Sequence, residues 1–213
     1  MEYSVVIVAA GIGQRMKLGF NKAYAKLSTG KTIVETTVSV FLQDKDCRQI
    51  VLVTDMEDPF TKRLTAQYGH LVVARGGKTR QESVYSGLQA TLCDYVLIHD
   101  GARPFVTLDL IAKVKKELAH EKACILAIPA KDTIKKVVGD YVEETYPRKE
   151  LMMIQTPQGF ETNLILDCYK KAQRDDYQAT DDSSLVEKYS NVKVKVIQGH
   201  ACNYKITTPD DLK

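Results

Sequence analysis

The 213-residue chain is 44% hydrophobic and 27% charged, and its 30 Lys and Arg against 27 Asp and Glu leave a formal charge of +3. This balance describes a globular protein of ordinary domain size with a substantial core, and it gives no charge argument for a nucleic-acid partner. No run of about eighteen apolar residues occurs, so no membrane partner is expected.

Read from its start, the chain opens with a predicted strand at 4–9, Ser4-Val5-Val6-Ile7-Val8-Ala9. An apolar run without polar alternation suits a strand buried on both faces, as in parallel sheets. It breaks into Gly11-Ile12-Gly13-Gln14-Arg15-Met16, with Lys22 close behind. Glycines permit a sharp turn and close ligand approach, free backbone N–H groups can cradle phosphate oxygens, and Arg15 and Lys22 add positive charge. The dinucleotide fingerprint needs glycine where Met16 stands, and the Walker loop needs a terminal Gly-Lys-Ser/Thr that is absent. The loop therefore predicts a phosphate site outside both standard motifs.

Further strands are predicted at 49–54, 71–74, 94–98 and 123–128, alternating with helices near 32–43, 59–68, 80–92 and 108–121. This rhythm predicts an α/β fold, a Rossmann-like, mostly parallel sheet flanked by helices, with ligands at the carboxyl ends of its strands. After Pro129 the pattern changes. β-prone runs at 133–138 and 141–145 surround Gly139-Asp140, a hairpin signal; poor in large apolar residues, this insert reads either as a surface hairpin or as an arm seated on a second subunit. Helices resume near 161–174 and 181–189, a strand is expected near 192–197, and Thr208 can cap a helix beginning at Pro209.

Several clusters carry chemistry. The strand Tyr95–Ile98 runs into His99-Asp100-Gly101-Ala102-Arg103-Pro104-Phe105, placing Asp100 beside the glycine loop. There it can hold Mg²⁺ bridging nucleotide phosphates, cap a turn and pair with Arg103, or do both. Gly76-Gly77-Lys78-Thr79-Arg80-Gln81-Glu82-Ser83 opens a helix: its glycines can admit a flat ligand and Ser83 can offer a hydroxyl. Thr180-Asp181 reads as a helix N-cap. Arg148 and Lys205 can each bind a phosphate monoester, one as a fork and the other as a point charge. Cys47, Cys93, Cys124, Cys168 and Cys202 are odd in number and lack C-x-x-C spacing, so they are expected to be reduced packing residues in a cytoplasmic protein. The N-terminus shows no leader pattern, and the four histidines lack zinc-site spacing.

In order along nearly the whole chain stand A-A-G-x-G-x-R-M at 9–16 with Lys22, G-G-x-x-R-x-x-S-V at 76–84, H-D-G-A-R-P-F at 99–105, K-D-T-I-K at 131–135, Q-T-P-Q at 155–158, T-D-D at 180–182 and N-Y-K-I-T-T-P-D-D-L at 203–212. On these motifs the sequence resembles the 2-C-methyl-D-erythritol 4-phosphate cytidylyltransferase family of non-mevalonate isoprenoid synthesis. The resemblance implies one nucleotidyltransferase domain over 1–213, with a β-arm at about 133–155 used for homodimerisation. It implies CTP and a polyol phosphate as partners, Mg²⁺ or another divalent cation as cofactor, and attack of the substrate phosphate on the α-phosphorus of CTP.

By that resemblance Arg15, Lys22 and Lys205 are catalytic. Ala9, Ala10, Gly11, Gly13, Gly77, Arg80, Ser83 and Asp100 bind the nucleotide, with Asp100 facing the metal. Arg103, Thr133, Arg148, Thr180 and Lys205 bind the polyol phosphate, with Arg148 delivered across a dimer. Three positions depart from the family pattern. Asn21 replaces a frequent proline, with little effect expected; Lys78 stands where an acidic residue is usual; and Pro147 can alter how the arm presents Arg148. Ribitol-5-phosphate cytidylyltransferases are the nearest rival resemblance, but their strand end reads Ala-Gly-Gly where this chain has Ala9-Ala10-Gly11. Sugar-1-phosphate nucleotidyltransferases, a nucleotide-binding module without catalysis and a Rossmann dehydrogenase are more distant alternatives.

Overall fold

The computed structural model describes residues 1–11, 21–69 and 71–212; the predicted site residues Gly13 and Arg15 lie outside the described residues. Strand β1 (Tyr3–Val8) leads to helix α1 (Ile33–Phe41) and β2 (Cys47–Thr54), then α2 (Pro59–Gln67), β3 (Leu71–Arg75), α3 (Arg80–Leu88) and β4 (Tyr95–Asp100). Helix α4 (Leu108–Leu118) and β5 (Ala123–Pro129) follow, then the hairpin β6 (Lys135–Val138) and β7 (Tyr141–Thr145). The chain continues through β8 (Met152–Glu161), α5 (Thr162–Arg174), α6 (Asp182–Tyr189) and β9 (Lys195–Gln198), and a 3₁₀ turn forms at Pro209–Leu212.

Seven of these strands make one sheet in the order β3-β2-β1-β4-β8-β5-β9. All run in one direction except β8, which is antiparallel to both β4 and β5. The uninterrupted apolar runs have a direct cause. Val5, Ile7, Ile50, Leu52 and Leu97 pack on one face with α1, α2 and α4, and Val6, Val51, Val53, Val96 and Ile98 pack on the other with α3, α5 and α6. Each such fully buried side chain is worth roughly 2 kcal/mol of hydrophobic stabilisation. Local signals start the helices: Thr32 and Glu35 form a capping box at α1, while Thr79 and Thr107 accept N3 backbone hydrogen bonds at α3 and α4, relieving unpaired first-turn N–H groups.

Strand β8 departs from the sequence reading, which placed no strand at 152–161. It holds Gln155, Pro157, Gln158 and Gly159, residues poor for a central strand. A register shift resolves the conflict. Leu126 of β5 faces Gln155 while neighbouring Ile125 faces Gln158, so Thr156 and Pro157 bulge out of the β5 ladder and the proline need not donate. A Cβ on Gly159 would lie 2.7 Å from Leu118 and 2.8 Å from Val114; the glycine lets α4 close on the sheet.

The arm is correspondingly shorter than predicted. Its hairpin is a separate two-stranded sheet, a 3₁₀ turn follows at Arg148–Glu150, and Met152–Gln155 pair with β5 in the main sheet. Both hairpin strands are exposed along their full length. Among the described residues, no helix is long and apolar enough to cross a membrane. The cysteines are free, and Cys202 is exposed, against the expectation of a packing residue; its Sγ lies 2.8 Å from His200 Nδ1.

Candidate active site

Parallel strands deliver their C-terminal residues to one edge, and register brings Val8 of β1 beside Asp100 of β4. The chain after β1 crosses towards β2, Ala9 N–H donating to Val53 O at 2.8 Å. From the next crossover, Gly76 lies against Ala10 so closely that a Cβ there would stand 2.3 Å from the Ala10 Cβ. These ends border a cleft of about 710 Å³, lined by Ala9, Ala10 and Gly11, by Asn21 and Lys22, by Gly77 to Arg80 with Ser83, and by Asp100 and Lys205. Four cations, Lys22, Lys78, Arg80 and Lys205, and one carboxylate, Asp100, line it.

Asp100 is the hub. Lys205 Nζ donates to its Oδ2 at 2.8 Å and Arg80 Nε to its Oδ1 at 3.2 Å, while Arg103 Nε stands 3.7 Å away. Burial alone would raise its pKa, but Arg80, then Lys205 and Arg103, outweigh burial and hold the carboxyl well below the usual range. The preceding strand residue fixes the turn. Asp100 N–H donates to Thr156 Oγ1, whose hydroxyl donates to His99 Nδ1, and His99 Nε2 then donates to Arg103 O. That order assigns the Nε2–H tautomer to His99.

Lys22 begins a 3₁₀ turn, Lys22–Tyr24, and its Nζ donates to Ile206 O at 2.9 Å. Ile206 N–H in turn donates to Ala102 O, so the segment carrying Lys205 lies between the Lys22 turn and the Asp100 turn. Asn21 does more than replace a proline. Its Oδ1 accepts from Ala23 N–H at 3.0 Å and its Nδ2 donates to Ala9 O, joining the Lys22 turn to the end of β1. Lys205 is set by its neighbour: Asn203, fully buried, donates from Nδ2 to Thr156 O at 2.8 Å.

Other predicted contacts fall differently. The Ser83 hydroxyl is occupied within its own loop, accepting from Gly77 N–H and donating to Thr79 O, and so shapes the wall. Arg103 is partly buried and donates to Asn203 O at 2.8 Å, joining the Asp100 turn to the Lys205 loop without lining the cleft. Thr180 borders a separate small cavity beneath Arg80, and the N-cap of α6 is Asp181, which accepts from Ser184 N–H. Thr133 and Arg148 are exposed on the arm's flanks, outside the cleft lining. Arg148 Nη1 donates to Lys131 O, and Pro147 precedes its 3₁₀ turn with φ −62°. The sequence reading missed Asn21, Thr156 and Asn203 as positioning groups, because each acts on a residue distant in sequence.

Among the described residues no three His, Cys, Asp or Glu side chains gather as a metal cage. One cleft carboxylate is the donor set that suits Mg²⁺ carried on nucleotide phosphates rather than held by protein alone. Asp100 fits that part, provided that Lys205 leaves Oδ2.

A cationic cleft at the carboxyl edge of a mostly parallel sheet, with lysines reaching it from distant segments of the chain, is the arrangement of a nucleotidyltransferase. The profile of the family described as 2-C-methyl-D-erythritol 4-phosphate cytidylyltransferase matches residues 3–213. A protein of that name from Halalkalibacterium halodurans is 46% identical, over 100% of this chain and 94% of that protein. One from Clostridioides difficile is 44% identical, over 99% and 90%. The crystal structure of 4-diphosphocytidyl-2C-methyl-D-erythritol synthase from Anaerococcus prevotii superposes with a TM-score of 0.88 at 36% identity, covering 99% of this chain and 92% of that one. The chain belongs to the 2-C-methyl-D-erythritol 4-phosphate cytidylyltransferase family.

Proposed function

We propose that this chain transfers CMP from CTP to 2-C-methyl-D-erythritol 4-phosphate, giving CDP-methylerythritol and pyrophosphate, in the cytoplasm. The observation that carries this reading is the convergence of Lys22, Arg80 and Lys205 on one cleft at the sheet edge, with Arg80 and Lys205 paired to Asp100, in a chain of this family. A phosphate oxygen of the substrate forms a bond to the α-phosphorus of CTP while the bond to pyrophosphate breaks. That oxygen is already anionic near neutral pH, so no general base is needed; positioning and charge neutralisation carry the step. Ala9, Ala10, Gly11, Gly77 and Ser83 wall the nucleotide pocket. Lys22, together with Arg15, stabilises the charge that develops on the phosphates. Lys205 exchanges Asp100 for a phosphate oxygen when substrates enter. Asp100 would face Mg²⁺, which neutralises triphosphate charge when bound.

The arm supplies the missing substrate contacts. Val137, Val138, Tyr141 and Val142 are all more than half exposed, an apolar surface suited to a second copy of the chain. In a homodimer the arm would carry Thr133 and Arg148 to the partner's cleft. Lys22→Ala is expected to lower kcat by about a hundredfold or more, the scale of losing a preorganised donor to developing charge. Steady-state kinetics with CTP and the polyol phosphate check this, and near-normal turnover would remove Lys22 from the mechanism.

A further inference from the structure

The Thr180-Asp181-Asp182 motif is left without a part in the mechanism above, although Asp182 is a carboxylate only 1% exposed. Arg80 meets it with both terminal nitrogens, Nη1 to Oδ1 at 3.0 Å and Nη2 to Oδ2 at 2.8 Å. Tyr169 of α5 donates its hydroxyl to the same Oδ1. The guanidinium therefore spans two carboxylates, with its fork on Asp182 and its remaining Nε on Asp100. Two elements hold the start of α6 in place. Gln158 of β8 donates to Asp181 Oδ2 and accepts from Ser183 N–H, and Gln81 of α3 bridges Tyr177 O and Ala179 N–H.

We propose that Asp182 is a positioning residue for CTP: by occupying the fork of Arg80 it holds that guanidinium in the cleft wall, with one nitrogen left for Asp100. A bidentate arginine–carboxylate pair fixes direction as well as distance, and a site residue is only as well placed as the groups that lock its rotamer. Burial weakens the Arg80 charge, but Asp182 and then Asp100 more than restore it. Arg80 released from Asp182 keeps its other partner and closes on Asp100 with two nitrogens. It thereby leaves the wall beside Gly77 and Thr79 and competes with Lys205 for Oδ2. The nucleotide side of the cleft is deformed, and the arm-borne contacts are untouched.

The inference rests on the nucleotide reading of the cleft, and its test separates the two. Asp182→Asn keeps the shape and removes the charge. The KM for CTP is expected to rise about tenfold or more, with the KM for the polyol phosphate within about twofold of the unaltered enzyme. A merely structural defect would lower the fraction of active molecules and leave both KM values in place. Arg80→Ala is expected to raise the KM for CTP comparably, and the double variant to be no worse than Arg80→Ala alone, because Asp182 acts through Arg80. Should Asp182→Asn fail to fold, Tyr169→Phe conserves volume and is expected to give a rise of about threefold. An unchanged KM for CTP in whichever of these two variants folds, or additive effects in the double variant, would overturn the inference. Calorimetric titration with CTP reads the same effect without turnover. Binding by the unaltered chain with unchanged affinity in Asp182→Asn would overturn this inference alone, whereas no CTP binding by the unaltered chain would overturn the proposed function together with it.

Discussion

Asp100 keeps its orientation because His99, directly before it, is engaged at both ring nitrogens, by Thr156 Oγ1 and by Arg103 O. Complete burial lowers the His99 pKa from 6.5 to about 4, and its hydrogen bond to the Arg103 carbonyl recovers only part of that shift. Below about 6.5 the unfolded chain binds a proton that the folded chain refuses until about pH 4, so stability is full above pH 6.5 and is lost as pH falls through that window. At about 1.4 kcal/mol per pKa step, the loss reaches about 3 kcal/mol. Asp100, held low by its cations, adds a second loss below about pH 4. Urea midpoints are expected to be steady from pH 8 to 7, to decline between 6.5 and 4.5, and to decline less in His99→Asn over the same span. A flat wild-type midpoint across that span would contradict the buried neutral imidazole. Residue by residue, Lys22, Asp100 and Lys205 stood out in the sequence through the ordered motifs that carry the family resemblance, since each alone has the ordinary uses of a surface or turn residue. Asn21 and Asp182 were not, because their roles lie in partners at Ala9 and Arg80 that no local pattern reveals.

At the level of elements, β8 and the arm behave as opposites. Strand β8 is central, and its Q-T-P-Q motif serves the site without entering it. Gln155 donates to His200 O on the loop that leads to Lys205, Thr156 holds the His99–Asp100 turn, and Gln158 holds α6. Its composition hides it, since proline, glycine and glutamines argue against a central strand, and only the bulge opposite β5 makes them compatible. The hairpin β6–β7 was legible from Gly139-Asp140, and both its strands stand exposed along their full length. The proposed exchange of arms has a direct consequence. Lys22→Ala disables a cleft and Arg148→Ala disables the arm offered to the partner's cleft, so each variant alone is expected to be nearly inactive. Mixed by refolding together, half the dimers should be hybrids, each with one intact cleft served by an intact arm, restoring roughly a quarter of wild-type turnover. No recovery on mixing, with hybrids shown by native mass spectrometry, would contradict delivery across the dimer.

For the whole molecule, the alternation of strands and helices could be read because β1, β2 and β4 are buried on both faces and every α-helix but α5 carries a Thr or Asp cap at its start. The reversal of direction at β8 could not, because strand order is fixed by pairing between Ile98, Ile125 and Gln158 across long stretches of chain. What the fold accomplishes is convergence: Lys22, Arg80, Asp100 and Lys205 come from distant segments to one cleft at the sheet edge, with Asp182 behind Arg80. That convergence, in a chain of this family, is the ground for cytidylyl transfer to methylerythritol phosphate. The direct measurement is a product assay with CTP and Mg²⁺, offering 2-C-methyl-D-erythritol 4-phosphate and ribitol 5-phosphate side by side. Stoichiometric CDP-methylerythritol and pyrophosphate, with little product from ribitol 5-phosphate, is the expected result. Preference for ribitol 5-phosphate, or no pyrophosphate release with either acceptor, would contradict it.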